Sequence, residues 1–331
     1  MNESGFKCTG LPDFPINVSY AAGGIVNGIP IICGGANSTI YDNNTETILT
    51  VYQNCYEFKK RAWKKTEKSL DVPKYNLATG NLVIKDKLLI HGGQTDEHNF
   101  VNSSELIGLN TQSSNDTLPV SGHCIIMINE TYFMMTGGMI PDGNGSFTVT
   151  NKTFFCRTDL KNCIPGTPLN HQRTAHSCYQ KKPYLNVVGG YIDNYKTNCT
   201  YEVEKLNLTD NSKDKKWTLG MLIFSWTQPA SFKCLILVPD WKQLDFTIRG
   251  HTMITTFTGK AGEEKEEIYL IGGLGTFSHV QGQDSIQKLE NGKFETIPTK
   301  LQYGRAYHIA LPISYELAKE SCLGHYESSE K

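Results

Sequence analysis

A short apolar run closed by two glycines occurs five times in this chain, and it limits the possible folds more than any other feature. The copies are Ile29-Pro30-Ile31-Ile32-Cys33-Gly34-Gly35, Lys87-Leu88-Leu89-Ile90-His91-Gly92-Gly93, Tyr132-Phe133-Met134-Met135-Thr136-Gly137-Gly138, Tyr184-Leu185-Asn186-Val187-Val188-Gly189-Gly190 and Ile268-Tyr269-Leu270-Ile271-Gly272-Gly273. Such a run reads as a buried strand. The glycines at its end permit positive φ and the close approach of another backbone. Aligning Tyr20 to Val26 with Leu77 to Val83 shows a second strand ahead of the glycine-pair strand, so the two form a hairpin. A variable polar loop follows. Third strands then start at Cys55, Glu105, Phe154, Tyr201 and Ser285, and fourth strands open on Trp63, Trp217 and Phe294. The repeat predicts an all-β, single-domain fold built from four-stranded antiparallel units.

The unit junctions carry a further pattern. A basic or aromatic residue and a histidine precede the first strand in Gly122-His123, Arg173-Thr174-Ala175-His176, Arg249-Gly250-His251 and Arg305-Ala306-Tyr307-His308, whereas Tyr75-Asn76-Leu77 lacks the histidine. Together with the glycine pairs and the aromatic openings, these junctions resemble Kelch-repeat β-propellers from about Tyr20 to Leu311. Cys33 and Cys55-Tyr56 resemble the corresponding residues of secreted, disulfide-containing invertebrate Kelch proteins. The resemblance implies radial closure of four-stranded blades, which leaves only short protected edges. Phe232 to Val238, followed by Pro239-Asp240 in place of glycines, fits a degenerate unit and brings the expected count to six blades. The alternative is seven, with His308 to Ile313 opening a partial one. The expected layout is an N-terminal arm over residues 1–17, the propeller over 18–313 and a C-terminal tail over 314–331. A Cys8–Cys322 disulfide would tie the tail to the arm.

Compartment follows from different residues. Eleven Asn-x-Ser/Thr sequons begin at Asn2, Asn17, Asn37, Asn43, Asn102, Asn115, Asn129, Asn144, Asn151, Asn198 and Asn207, about three times the chance frequency for this composition. Ten cysteines accompany them, and an even count in a polar β-rich chain fits an oxidising compartment. The chain therefore reads as a secreted, extracellular glycoprotein shown without its leader. Cys156 and Cys163 flank a hairpin loop that would set them opposite each other, and Cys33 and Cys55 fall on adjacent strands. For Cys124, Cys178, Cys199 and Cys234 the connectivity stays open. No Cys-x-x-Cys is present to nucleate a zinc site. The formal net charge of -1 creates no field favouring nucleic acid or an anionic membrane, and no apolar stretch is long enough for a spanning helix.

For function, the resemblance places each blade's first strand along a central channel, with ligands docking on the face formed by the loops that enter it. Tyr75, His123, Arg173, His176, Arg249, His251, Arg305 and His308 would then ring the channel mouth, where arginine donors and switchable histidines recognise a protein, a glycan or a small polar molecule. The competing role for the same residues is structural: histidines bonded to neighbouring loops, and arginines paired with carboxylates between blades. There is no Gly-x-Ser-x-Gly elbow, His-Glu-x-x-His or P-loop. No cofactor is expected, a channel metal held by the ring histidines being the remaining possibility. The principal expectation is a monomeric extracellular binding propeller. The alternative is a secreted enzyme with a small-molecule pocket in the channel, an oxidoreductase or an oxygen-dependent luciferase-like protein. Copper radical oxidases share the resemblance, but no motif here assigns a copper ligand.

Overall fold

The computed structural model describes residues 12–40, 46–80, 82–108, 112–114, 118–194, 200, 202–210, 215–221, 223–224, 252–258, 265–271, 283–290, 293–305 and 311. Blade 1 runs β1 (Ala22–Val26), β2 (Ile29–Cys33), an added hairpin of β3 (Ala36–Ile40) and β4 (Glu46–Val51), then β5 (Cys55–Lys59) and β6 (Ala62–Lys65). Blade 2 comprises β7 (Val83–Ile84), β8 (Lys87–His91), β9 (Ser104–Ile107) and β10 (Gln112–Ser114). Blade 3 repeats the first plan with β11 (Cys124–Met127), β12 (Tyr132–Thr136), a hairpin of β13 (Met139–Pro141) and β14 (Phe147–Val149), then β15 (Thr153–Arg157) and β16 (Cys163–Pro165). Blade 4 holds β17 (Ser177–Lys181), β18 (Tyr184–Val188), β19 (Glu202–Asn207) and β20 (Thr218–Met221). The last sheet is made of β21 (Ile223–Phe224), β22 (Thr252–Thr258), β23 (Lys265–Ile271), β24 (Gln283–Glu290) and β25 (Lys293–Arg305).

The four main strands of each blade form an antiparallel meander in which the glycine-pair strand is second, as its repeat predicts. The molecule is an all-β propeller, with five blades among the described residues rather than six or seven. The chain leaving blade 4 goes to the outer edge of the fifth sheet, where β21 pairs in parallel with β25 through Ile223↔Lys293 and Phe224↔Phe294. The segment expected to form a degenerate unit, 232–240, lies outside the described residues.

The core is distributed between sheets. One cluster joins Val26 and Ile31 of blade 1 to Leu88 and Ile90 of blade 2; another joins Leu89 and Leu106 of blade 2 to Phe133 and Met135 of blade 3. Met134 of blade 3 packs with Leu185 and Val187 of blade 4, and Val188 packs with Ile268 and Leu270 of the fifth sheet. Successive strand residues thus face opposite neighbours. With both faces covered, these strands read as continuous apolar runs instead of alternating ones.

Among the described residues three disulfides reinforce this plan. Cys33–Cys55 and Cys156–Cys163 join directly opposed residues within blades 1 and 3, as the sequence predicts. Cys124–Cys178 links the first strands of blades 3 and 4 across a separation of 54 residues, worth about 4 kcal/mol in the chain-entropy account. Cys8, Cys199, Cys234 and Cys322 lie outside the described residues. Three disulfides fit an extracellular protein, and among the described residues no helix is long and apolar enough to cross a membrane. From the expected N-terminal arm, Phe14 packs edge-on against Tyr56 and Trp63 of blade 1, at 5.2 and 4.9 Å between ring centroids.

Candidate functional site

The segments entering each blade follow one geometry. Ser19, Tyr75, Ser121 and Thr174 each form an antiparallel bridge with the residue after their own blade's glycine pair. Entry segments and post-glycine loops therefore share one end of the blades, here called the entry face. The next residue is left-handed in all four cases, at Tyr20 (φ 58°), Asn76 (52°), Gly122 (58°) and Ala175 (52°). This turn lets neighbouring blades bond in series: Leu77 N donates to Tyr20 O at 3.3 Å, Gly122 N to Asn76 O at 2.8 Å, and Ala175 N to Gly122 O at 2.8 Å.

The glycine pairs extend the series. Gly35 N donates to Lys74 O, Gly93 N to Val120 O and Gly138 N to Arg173 O, at 2.8, 2.9 and 2.7 Å, each reaching the following blade. Farther in, Thr79 of blade 2 forms a parallel bridge with Cys124 of blade 3, and its Oγ1 reaches His176 O of blade 4 at 2.6 Å. At this level the inner segments of three blades touch.

Of the sequence-predicted residues, Tyr75, His123, Arg173 and His176 lie among these contacts. Tyr75 is buried, with its ring edge-on to Tyr20. Arg173, His123 and His176 are fully buried. Arg173 Nη1 donates to Gly189 O at 2.9 Å and to Glu202 O at 3.3 Å, while Nη2 pairs with Glu204 Oε1 at 2.5 Å. His176 Nε2 shares a 2.9 Å hydrogen bond with Thr136 Oγ1 of blade 3. The His123 ring stands edge-on to His91 of blade 2, 4.9 Å between centroids. Arg305 ends β25, and Arg249, His251 and His308 lie outside the described residues. His123 and His176 thus occupy seams between successive blades, and Arg173 lies inside blade 4.

Sequence reasoning passed over four residues that belong with them. Lys74 and Glu105 form a fully buried ion pair in blade 2, equivalent position for position to Arg173–Glu204 in blade 4. Glu105 Oε2 also accepts from Asp71 N at 3.0 Å, and the Glu204 carboxylate accepts from Asn170 N at 2.5 Å and His171 N at 3.1 Å. The available signal was a glutamate at the same place on the third strands of blades 2 and 4, matched by a cation just before Tyr75 and Thr174. His91 is the fourth residue. Neither its nitrogens nor those of His123 have a hydrogen-bond partner among the described residues.

Burial, and after it the charge of Lys74, pushes the His91 imidazole down to about 4 from 6.5. Burial, then His91 and His176, holds His123 well below the usual histidine range. Both rings are neutral at pH 7. As the pH falls below 6.5 the unfolded chain takes up protons that folded His91 refuses until about pH 4, so the histidine contribution to stability is present at high pH and lost on acidification. Urea unfolding at pH 5 is expected to show roughly 2 kcal/mol less stability than at pH 7 from His91 alone, at about 1.4 kcal/mol per unit. A His91→Phe variant should have a shallower slope by about one proton; an unchanged slope would contradict the assignment. Among the described residues no three His, Cys, Asp or Glu side chains are grouped to hold a metal.

The entry face is built outward from these buried groups. Asn76, Gln94 and Ser121 form a buried polar cluster, with Asn76 Nδ2 donating to Gln94 Oε1 at 2.9 Å and Ser121 Oγ to the same oxygen at 3.1 Å. The β13–β14 hairpin stands beside the blade 2 and blade 4 loops, Phe147 lying 6.5 Å from Phe100 between centroids and Val149 N donating to Asn194 Oδ1 at 2.7 Å. Beneath it is a mainly apolar cavity of about 180 Å³ between Val120, Ile140 and Phe154. Of the predicted sequons, Asn17, Asn102, Asn129 and Asn144 are exposed, whereas Asn37, Asn151 and Asn207 are half-buried and Asn151 Nδ2 donates to Leu169 O at 3.0 Å. Asn2, Asn43, Asn115 and Asn198 lie outside the described residues.

No family model matches the chain, and no curated protein matches it either. Among solved structures it is similar to one titled "Structure of YjhT", with a TM-score of 0.61, 14% identity, and coverage of 91% of this chain and 89% of that one. At that identity the likeness speaks for the fold, and it agrees with the propeller described above.

Proposed function

We propose that this chain is a secreted, glycosylated Kelch-type propeller that binds an extracellular protein, glycan or small polar ligand on its entry face. The observation that carries this reading is the placement of the two added hairpins. Both β3–β4 and β13–β14 follow a glycine pair and so rise from the entry face. On the opposite face the first and second strands of blades 1, 2 and 4 are joined by two residues each, such as Asn27-Gly28 and Lys85-Asp86. Recognition surfaces concentrate where a rigid scaffold carries elaborated loops. The ring residues Tyr75, His123, Arg173 and His176 support this surface from below, by fixing where each entry segment emerges. Glycans at Asn17, Asn102 and Asn144 would confine the partner to the surface between them.

The test is a screen of the purified protein on a glycan array and an array of secreted proteins, repeated with two variants. One shortens β13–β14 by removing Asp142 to Ser146; the other reverses charge on the opposite face with Lys85→Glu. Binding lost in the first and kept in the second supports the reading. Binding that survives the first and disappears in the second overturns it.

A further inference from the structure

Two positions recur in the blades. One lies on the third strand, opposite the residue two before the glycine pair, and is Tyr56, Glu105, Phe154 and Glu204 in blades 1 to 4. The other is the entry residue whose carbonyl receives the preceding blade's glycine, and is Lys74, Val120 and Arg173 in blades 2 to 4. In blades 2 and 4 a long cation from the entry segment reaches the glutamate and fills the space between them. In blade 1, Phe14 from the N-terminal segment covers Tyr56. In blade 3 the two residues are Val120 and Phe154, and the space is the cavity of about 180 Å³.

Its walls specify a guest. Val120, Phe154, Met135 and Ile140 present an apolar lining, and Thr150 and Lys152 complete it on the polar side. Lys152 is exposed, and none of the ion pairs among the described residues involves it. An apolar cavity of about 150 Å³ suffices for one benzene ring, so a single ring or branched aliphatic group fits, with any polar tail emerging beside the ammonium. We propose that this cavity is a binding site for a small carboxylate carrying one aromatic or branched aliphatic group, the apolar part filling the position that Arg173 occupies in blade 4 and the carboxylate pairing with Lys152. The inference rests on the reading of the entry face as the recognition face and narrows it to one blade.

The test uses 3-phenylpropionate as probe, with isothermal titration calorimetry on the full chain. Binding is expected with a dissociation constant on the order of a millimolar. The double variant Val120→Arg/Phe154→Glu transplants the blade 4 pair into blade 3 and should weaken binding roughly tenfold or more by filling the site. Lys152→Met, or 3-phenylpropanol in place of the acid, should weaken it about threefold or more. Near-UV circular dichroism checks that the double variant is folded; should it not be, Ile140→Trp blocks the mouth from the hairpin and must give the same loss. Unchanged affinity in the filled or blocked variant overturns the site, and equal affinity for the alcohol overturns the carboxylate assignment. Either result leaves the array test of the entry face standing, whereas phenylpropionate binding combined with array hits insensitive to the hairpin would overturn the face and keep the cavity.

Discussion

Glu204→Ala should cost the folded state about 3–5 kcal/mol, the usual penalty for stranding a buried charge. The carboxylate does two things at once. It neutralises Arg173, whose guanidinium is fully buried and whose pKa is pulled down by burial in spite of Glu204. It also accepts the backbone amides of Asn170 and His171, ordering the loop that leads into blade 4. Removing it leaves a buried cation and two donors unsatisfied. Urea unfolding followed by fluorescence would report the loss, because Trp217 is buried and its carbonyl is bonded to Asn170 Nδ2. The double variant Arg173→Val/Glu204→Phe reproduces the residues that blade 3 carries at these positions, and should lose clearly less than Glu204→Ala alone. Losses that simply add would show that the pair is not acting as a unit.

Gly137→Ala should be comparably damaging, at about 3 kcal/mol or more. The residue is left-handed at φ 56°, and an added Cβ would lie 2.4 Å from Arg173 O and 2.7 Å from His176 Cε1 of the next blade. The obstructing oxygen belongs to backbone that is itself held by the inter-blade bond from Gly138 N, so it cannot move aside without opening the seam. Gly143 provides the comparison, since it is left-handed at φ 84° but has nothing within 4 Å of an added Cβ. Gly143→Ala should therefore cost only the conformational penalty, about 1 kcal/mol. Equal effects at the two positions, measured by the same urea titration, would remove the steric account of the glycine pairs.

These expectations show which parts of the molecule could be read from the chain. The glycine pairs were legible as strand ends because their spacing repeats, and Cys33–Cys55 and Cys156–Cys163 were legible because each pair lies on adjacent strands. Cys124–Cys178 was not, since it crosses from one sheet to the next and no local spacing encodes that distance. The described residues form five blades, and the segment expected to supply the degenerate unit, 232–240, lies outside them; the chain just after β20 joins the outer edge of the fifth sheet through Ile223 and Phe224, a pairing that a two-residue strand does not announce. At the entry face, the residue types at Arg173, His123 and His176 were conspicuous, but their partners were not. Glu204 and Thr136 are distant in sequence from the groups they meet, and the contrast between the open position of blade 3 and the occupied ones of blades 1, 2 and 4 appears only when blades are superposed. The cavity of blade 3 left no motif at all, because Val120 and Phe154 look like ordinary core residues.

The most direct test follows the methionine methyl groups, of which the chain has seven. Met135 lines the blade 3 cavity near the entry end of β12, while Met127 ends β11 at the opposite face. In a spectrum of protein carrying ¹³C-methyl methionine, titration with 3-phenylpropionate should shift the Met135 signal and leave Met127 in place. A titration that moves Met127 and leaves Met135 unchanged would contradict the placement of the recognition site on the entry face of blade 3.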